Sequence, residues 1–201
     1  MVLSTPRTVG ILIFPEVEIL DFCGPFEVFS SAVDESGEKA FNVLTVAETG
    51  SLVPCRGGLV VQPNVTFATA PTFDIVVVPG GYGTDVQQEN PAVLDWLRRQ
   101  RRAAELTTSV CTGAFLLGAA GLLDGLRVTS HWSTIDRLRA FVPGAIVLDD
   151  VRVVDQGEVI TSAGVSAGID MALHVVRRLH GDAAAVATAR DMEYDWALAP
   201  A

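Results

Sequence analysis

The chain has 201 residues, of which 49% are hydrophobic, and its mean hydropathy is +0.38. This length and composition fit one globular domain, residues 1–201, with a sizeable buried core. A formal net charge of −10 and an isoelectric point near 4.6 offer no electrostatic footprint for a nucleic-acid backbone.

Strand-like and helix-like segments alternate along the first half of the chain. The pattern predicts a strand at 9–14, a helix at 17–32, a strand at 41–47, a hairpin-like segment at 58–66 and a strand at 74–78. The last of these strands runs into Pro79-Gly-Gly-Tyr-Gly83, and helical spacing follows over 91–102. Alternation of this kind is typical of α/β proteins with a parallel sheet.

The second half continues this alternation. A β-rich run over 106–110 passes directly into a helix of small residues. Further on, the pattern predicts a strand at 127–130 that continues the sheet, a hairpin of strands 151–155 and 158–161, and helices at 167–179 and from 182 onward.

Cys111 lies at the point where the strand at 106–110 becomes a helix. A strand that stops at a sharp turn and re-enters as a helix projects its turn side chain above the sheet, as a nucleophile elbow does. The first helix amides then favour a thiolate. The alternative is a cysteine buried as a small hydrophobe, a role that suits Cys23 and Cys55, which have no helix start beside them.

In an open α/β sheet, reacting groups gather beyond the carboxyl ends of the strands. We therefore expect the loop at 14–21, the pair Gly80-Gly81 and Cys111 to form one pocket. The Gly80 and Gly81 amides could approach a bound atom closely and, with the amide of Thr112, form an oxyanion-type site. A simple turn requires the same glycine pair.

Asp21 is a single carboxylate in a mostly apolar segment, so burial would raise its pKa. Beside a thiolate, such a carboxyl can donate a hydrogen bond and exchange protons with a substrate. The alternative, equally weighted, is a carboxylate that caps nearby amides. Glu16 and Glu18 have the character of solvated charges.

The three histidines give no recognisable metal-ligand set with cysteine or carboxylate, so we expect neither a metal nor another cofactor. His131 follows the strand at 127–130 and could reach Cys111 as a base or orienting group. The alternative for His131 is a structural histidine. His174 and His180 are six residues apart on a predicted helix, and we expect them to be structural or exposed.

The cellular setting follows from the remaining composition. The first residues lack a secretory signal layout, and no apolar run reaches the roughly 18 to 20 residues that span a bilayer. Three cysteines do not make a disulfide framework and fit a reducing compartment. We expect a cytoplasmic protein with no membrane and no nucleic-acid partner.

Six segments spread over nearly the whole chain carry a family resemblance. They are Val9-Gly-Ile-Leu-Ile-Phe-Pro15, Asp21-Phe-Cys-Gly-Pro-Phe-Glu-Val-Phe29, Val78-Pro-Gly-Gly81, Thr108-Ser-Val-Cys-Thr-Gly113, Thr129-Ser-His-Trp132 and Ser162-Ala-Gly-Val-Ser-Ala-Gly-Ile-Asp170. Together they resemble the ThiJ/PfpI superfamily of class I glutamine amidotransferase-like proteins, and within it the isocyanide hydratases. The resemblance implies a flavodoxin-like three-layer sandwich, with a mostly parallel sheet, helices on both faces and a nucleophile elbow.

The resemblance also implies a site and a reaction. Cys111 would be the nucleophile, Asp21 its hydrogen-bonded acid partner and Thr112 the neighbour that tunes the thiolate. The implied activity is the hydration of small isocyanides to N-substituted formamides through a thioimidate on Cys111. No cofactor is implied, and because superfamily members commonly form homodimers, we expect a homodimer.

Departures from the sequence patterns of related proteins narrow the choice of function. Thr112 stands where protease-like members place a histidine, and no His-x-Glu pair follows Cys111 as in a glutamine amidotransferase. Cys23 stands where the hydratases carry a hydroxyl residue. The alternatives are a glyoxalase-type enzyme, or a non-enzymatic thiol sensor or ligand-binding domain like those of AraC-type regulators, which share patterns around Asp21 and Asp170.

Overall fold

A seven-stranded sheet runs through the centre of the computed structural model, which describes residues 5–196. The strands are β1 Arg7–Leu12, β2 Phe41–Ala47, β3 Val53–Pro54, β4 Val60–Val61, β5 Val65–Thr66, β6 Ile75–Val78, β7 Leu106–Val110, β8 Arg127–Val128, β9 Ile146–Val147, β10 Val153–Asp155 and β11 Val159–Ser162. The helices are α1 Ile19–Ser31, α2 Thr84–Gln87, α3 Pro91–Arg101, α4 Gly113–Ala119, α5 Ile135–Phe141 and α6 Ala167–Asp191.

The strand order in this sheet is β10-β11-β7-β6-β1-β2-β5, and every neighbouring pair is parallel except β10 and β11. Helices α1 and α6 pack together over one face, and α4 packs over the other with α2, α3 and α5 against it. Strands β6 and β7 are buried along their whole length, as helices on both faces require. The fold is the flavodoxin-like three-layer sandwich that the resemblance implies.

The candidate functional residues lie at the topological switch point of the sheet, next to β1. Strand β1 pairs with β2 on one side and β6 on the other, so a crevice opens between the loops that follow β1 and β6. These two loops are joined by a bridge between Val17 and Gly81, and the Glu18 amide donates to the Gly80 carbonyl at 2.9 Å. Helix α1 begins at Ile19, two residues later than predicted, because Val17 takes part in this bridge.

Helix α1 buries Asp21, Pro25, Val28 and Phe29, a stripe at helical spacing that faces the protein interior. Asp21 therefore occupies a position that an apolar side chain would otherwise take. The helix is held against α6, where a Cβ on Gly24 would contact Ile169. This packing fixes the carboxyl of Asp21 at the carboxyl edge of the sheet.

Two predicted strand pairings are wrong. The hairpin expected at 58–66 is instead formed by β3 and β4, whereas β5 joins the main sheet parallel to β2. The strand expected at 127–130 does not continue the sheet, because β8 pairs with β9 in a separate two-stranded sheet. Both edges of β11 are occupied, by β7 and β10. The residue that follows β8 is linked to β11 by its amide, since Thr129 donates to the Thr161 hydroxyl at 2.9 Å.

Three predicted features of the other elements are confirmed. Strands β10 and β11 form the expected antiparallel hairpin. Helix α3 begins at Pro91, and the Asn90 side chain accepts from the Ala92 amide at 3.0 Å, as an N-cap does. Helix α6 is interrupted at Gly181, with φ 86° and ψ 169°, between the two helices that the sequence predicts. Within residues 5–196 no helix has the length and apolar character needed to cross a membrane.

Candidate active site

Cys111 sits on the predicted elbow between β7 and α4. Its backbone is left-handed, with φ 56°, and its side chain is almost buried, with 7% exposed. The Cys111 amide donates to the carbonyls of Ser162 and Ala163 at 3.3 and 3.2 Å, and its carbonyl accepts from the Ser130 hydroxyl at 2.8 Å. Gly113 allows the helix to start close to β6, since a Cβ there would collide with the Val78 backbone.

The carboxyl of Asp21 is fully buried beside this elbow. Its Oδ2 accepts from the Gly80 amide at 2.9 Å, and Oδ1 is buried with no hydrogen-bond partner among residues 5–196. The pKa of Asp21 is raised to about 7, chiefly by burial and also by the charge of Glu18, against the lowering effects of the Gly80 amide, the Cys111 thiol and the Val165 amide. Asp21 thus binds a nearby loop amide, as the capping alternative expects, and its carboxyl can also gain or lose a proton near neutral pH.

Burial raises the pKa of the Cys111 thiol to about 12, and the Asp21 carboxylate raises it too. The amide and hydroxyl of Thr112 act in the opposite direction. Thr112, at the start of the helix, therefore favours the thiolate, as the sequence predicts. Burial raises the pKa of Cys111 by more than Thr112 lowers it. The thiol keeps its proton at neutral pH, and Asp21 is the carboxylate beside it that can take that proton.

The amides expected to form an oxyanion-type site already have partners. The Gly80 amide binds Asp21, and the Gly81 amide donates to Oγ1 of Thr112 at 3.0 Å. A Cβ on Gly80 would meet both Thr112 and Asp21, so only glycine fits between them. The glycine pair thus positions the acid and the threonine, and these two amides are not free donors in this state.

Cys111 opens into a pocket of about 500 Å³, hereafter the Cys111 pocket. Its lining residues are Glu18, Arg56, Gly81, Tyr82, Thr84, Asp85, Cys111, Thr112, His131, Ser133, Thr134, Arg137 and Val165. The structure thus brings the predicted Gly81, Thr112 and His131 together with Cys111, and Asp21 lies buried next to them.

His131 has a defined orientation in the Cys111 pocket. Its Nδ1 accepts from the Ser133 amide at 3.3 Å and is 2.8 Å from the Ser133 hydroxyl. Acceptance at Nδ1 places the proton of the neutral ring on Nε2. The ring packs against Gly164, where a Cβ would collide with it. His131 therefore has both an ordered structural position and a place in the pocket lining.

Two ion pairs border the Cys111 pocket. Arg56 pairs with Glu18 and lies 4.3 Å from the centre of the Tyr82 ring. Arg137 pairs with Asp85 across the pocket mouth. The expectation that Glu18 is a solvated charge is wrong, because its side chain is 17% exposed and is held by Arg56.

Sequence reasoning missed Arg56, Thr84, Asp85 and Arg137 as lining residues. They come from three separate segments of the chain, and no local pattern marks them. Thr84 carried a partial signal, because it lies three residues after Gly81, which the sequence pattern predicts at the pocket.

The remaining candidates lie outside the Cys111 pocket. Cys55 is buried and Cys23 is half-buried; both are free thiols. His174 hydrogen-bonds Asp155 at 2.7 Å, and His180 packs edge-on against Phe41. No group of three or more potential metal ligands occurs within the described part of the chain.

An α/β sandwich with a cysteine elbow and a buried carboxyl at the switch point of its sheet defines the class of this protein. The chain belongs to the DJ-1/PfpI family, which matches residues 7–178. The resemblance read from the sequence motifs is therefore confirmed.

Individual relatives carry several different names. An isonitrile hydratase of Pseudomonas putida is 39% identical over 186 residues, which cover 92% of this chain and 78% of the relative. A glutathione-independent glyoxalase of Caenorhabditis elegans, DJR-1.2, is 33% identical over 70% of this chain and 74% of the relative. The HTH-type transcriptional regulator GbdR of Pseudomonas aeruginosa is 29% identical, and the match covers 88% of this chain but only 47% of the regulator.

Solved structures show the same fold. A ThiJ/PfpI family protein from Pseudomonas syringae superposes with a TM-score of 0.87 and is 33% identical. The match covers 97% of this chain and 78% of that protein.

Proposed function

We propose that this protein is a cysteine-dependent isonitrile hydratase, which converts small isocyanides and water to N-substituted formamides. The observation that carries the proposal is the pairing of Cys111, which opens into a pocket, with a buried carboxyl whose pKa lies near 7. The 39% identity to the Pseudomonas putida isonitrile hydratase supports the choice of substrate.

In the first step, the Cys111 sulfur attacks the terminal carbon of the isocyanide and forms a C–S bond. The Asp21 carboxylate takes the thiol proton as the sulfur becomes nucleophilic. The same carboxyl then delivers that proton to the attacked carbon, which yields a thioimidate, S–CH=N–R. The amide and hydroxyl of Thr112, which lower the pKa of the Cys111 thiol, stabilise the negative charge of the sulfur during attack.

In the second step, water adds to the thioimidate carbon, and its protons pass to the nitrogen and to the departing sulfur. The C–S bond breaks, the formamide leaves and Cys111 is again a thiol. Nucleophile, proton carrier and water supply every bond change, so the proposed reaction needs no cofactor. We place Gly81 and His131 on the substrate side of the sulfur, where both line the Cys111 pocket.

The test measures formamide production from a simple alkyl or aryl isocyanide, with absorbance as the readout. We expect turnover by the wild-type protein, none with Cys111→Ala and none with Asp21→Asn, since each variant removes one partner of the proton transfer. Cys23→Ala is the matched control, because Cys23 is a free thiol that does not line the Cys111 pocket. Wild-type protein that leaves isocyanides unchanged, or turnover that survives Cys111→Ala, would overturn the proposal.

A glyoxalase-type activity is the second candidate, favoured by the relative from Caenorhabditis elegans. The same thiol and carboxyl could add to an aldehyde and move a proton between neighbouring carbons. Loss of methylglyoxal in the presence of the protein, without formamide formation from isocyanides, would favour this candidate. Stable oxidation of Cys111 to a sulfinic acid with no turnover of either substrate would instead favour a thiol sensor.

A further inference from the structure

Thr84 carries a buried hydroxyl that no step of the proposed reaction uses. It is the first residue of α2, its side chain is 2% exposed, and it lies at the edge of the Cys111 pocket. Its Oγ1 is 2.9 Å from Oγ1 of Thr112. Among residues 5–196 this is the only hydrogen-bond partner of the Thr84 hydroxyl. A buried hydroxyl with a single partner is held in one orientation by that partner.

The donors and acceptors around Thr112 can be counted. A threonine hydroxyl has one proton and two acceptor positions. The Gly81 amide can only donate, and at 3.0 Å it fills one acceptor position on Oγ1 of Thr112. If Thr84 donates as well, the second acceptor position is filled and the Thr112 proton must go elsewhere. The Gly81 carbonyl accepts this proton only at a long 3.4 Å, and the other group beside the Thr112 hydroxyl is the thiol of the adjacent residue Cys111, whose pKa this hydroxyl lowers.

We propose that Thr84 is a positioning residue for the cysteine chemistry: its hydroxyl donates to Oγ1 of Thr112, so that the Thr112 proton points to the Cys111 sulfur. This assignment rests on the proposed function, in which Cys111 is the nucleophile on which the hydroxyls of Thr84 and Thr112 act. Donation into Thr112 also polarises its O–H bond, which strengthens the bond that this hydroxyl gives to a sulfur gaining negative charge. Thr84 itself touches neither the sulfur nor the substrate position.

The other titratable and charged groups around the sulfur make no hydrogen bond to the Thr84 hydroxyl, whose partner is Thr112. They are Asp21 and Glu18 at the start of α1, Arg56 from the β3–β4 hairpin, His131 after β8, and the ion pair of Asp85 in α2 with Arg137 in α5. A change in Cys111 reactivity on substitution of Thr84 therefore measures the effect of the hydrogen bond between the Thr84 and Thr112 hydroxyls.

The experiment compares Thr84→Val, which keeps the shape and removes the hydroxyl, with Thr84→Ser, which restores it. The readout is the rate of Cys111 alkylation by iodoacetamide as a function of pH, resolved from Cys23 and Cys55 by peptide mass spectrometry. We expect Thr84→Val to react about three- to tenfold more slowly near pH 7, the effect of one neutral hydrogen bond, with its profile displaced to higher pH. Thr84→Ser should react within about twofold of the wild type.

Two results would overturn the assignment: an unchanged pH profile in folded Thr84→Val, or a serine variant as impaired as the valine variant. Thermal unfolding confirms that each variant is folded, and Thr84→Ala gives the same comparison if valine disturbs α2. Alkylation does not depend on isocyanide turnover. A protein that fails to hydrate isocyanides yet shows the expected Thr84 profile would therefore refute the hydratase proposal and keep this one.

Discussion

At the residue scale, Asp21 is the polar group that α1 buries among apolar neighbours. The pKa of Asp21 is about 7 in the folded protein against the ordinary aspartate value of 3.8, so between these pH values the folded state holds more protons than the unfolded state. Stability must then fall as pH rises through this window, because an ionised Asp21 is costly to bury. The same property supports the role of proton carrier that we propose for this carboxyl.

We predict that Asp21→Asn gains stability relative to the wild type as the pH is raised. The amide is neutral at every pH and can still accept from the Gly80 amide. Between pH 5 and pH 8.5 the difference in unfolding free energy should grow by about 2–3 kcal/mol, at about 1.4 kcal/mol for each pH unit below the folded pKa. Urea unfolding at the two pH values measures it, with exposed Glu89→Gln as the control for loss of one charge. A constant difference between the two pH values would contradict the prediction.

The same variant should separate thiol ionisation from turnover. The Asp21 carboxylate raises the pKa of Cys111, so its removal should let the thiol ionise at lower pH. We expect iodoacetamide to alkylate Cys111 faster in Asp21→Asn than in the wild type at pH 8, although isocyanide turnover is lost. Peptide mass spectrometry against time gives the rate, and Cys23 in the same sample is the internal reference. Slower alkylation in the variant would show that proton removal by Asp21, and not the effect of its charge on the pKa of Cys111, governs the reactivity of the sulfur.

The main residues of the site could be predicted because each stands in a local pattern. Cys111 lies at a strand-to-helix junction, and Asp21 is a lone charge in an apolar run. The state of the thiol could not be predicted, because burial depends on packing from distant segments. The partners of the Gly80 and Gly81 amides were likewise hidden, since they are side chains from α1 and from the residue after Cys111.

At the element scale, the loops after β1 and β6 are joined by backbone hydrogen bonds, and the elbow after β7 lies against them. Gly80 is the point where all three meet, because its missing Cβ leaves space for Thr112 and Asp21. No side chain can be added there without moving the acid or the threonine.

We predict that Gly80→Ala destabilises the protein by about 1–3 kcal/mol, the usual cost of overpacking, and lowers turnover more than its stability loss explains. The added methyl group would press on Oδ2 of Asp21 and on the Thr112 backbone. Gly50→Ala is the control, because a Cβ there meets only a methyl group at ordinary contact distance, 3.8 Å. Chemical unfolding and the isocyanide assay on both variants measure the two effects. Equal effects from the two substitutions would disprove this role of Gly80.

Most helices and central strands could be predicted from periodicity, but two pairings could not. The segment of β8 has the β-branched residues Val128 and Thr129 that favour a strand, yet the place beside β11 is taken by β10. Strand β5 is only two residues long and joins β2 rather than the preceding β4. Which strand occupies an edge is decided by competition among distant segments, and a local pattern carries no information about that competition.

At the scale of the whole molecule, the β3–β4 hairpin and the start of α1 form one surface. The Arg56 amide donates to the Val17 carbonyl, and a Cβ on Gly57 would touch Ile19. Several apolar side chains nearby are exposed to solvent, among them Leu52 at 59% and Val60 at 53%. Exposed apolar surface beside a functional pocket is typical of an interface.

We predict that the protein is a homodimer in solution. Sedimentation equilibrium should give a mass close to twice the 21.3 kDa of one chain. Leu52→Ser together with Val60→Ser should shift the equilibrium toward the single chain if this surface is buried between copies, because both substitutions remove apolar area that the partner would cover. A wild-type mass of one chain at all concentrations would show that the expectation is wrong.

Cys111 holds a backbone conformation that glycine adopts freely and that costs other L-amino acids about 1–2 kcal/mol. The residue that relaxes this turn best is therefore one with no side chain to do chemistry. Glycine at position 111 would relieve this backbone cost but would remove the thiol that we propose as the nucleophile, so backbone strain and the proposed reactivity favour different residues there. A cysteine in this left-handed conformation is what we expect where a residue is kept for its chemistry and not for its contribution to the free energy of unfolding.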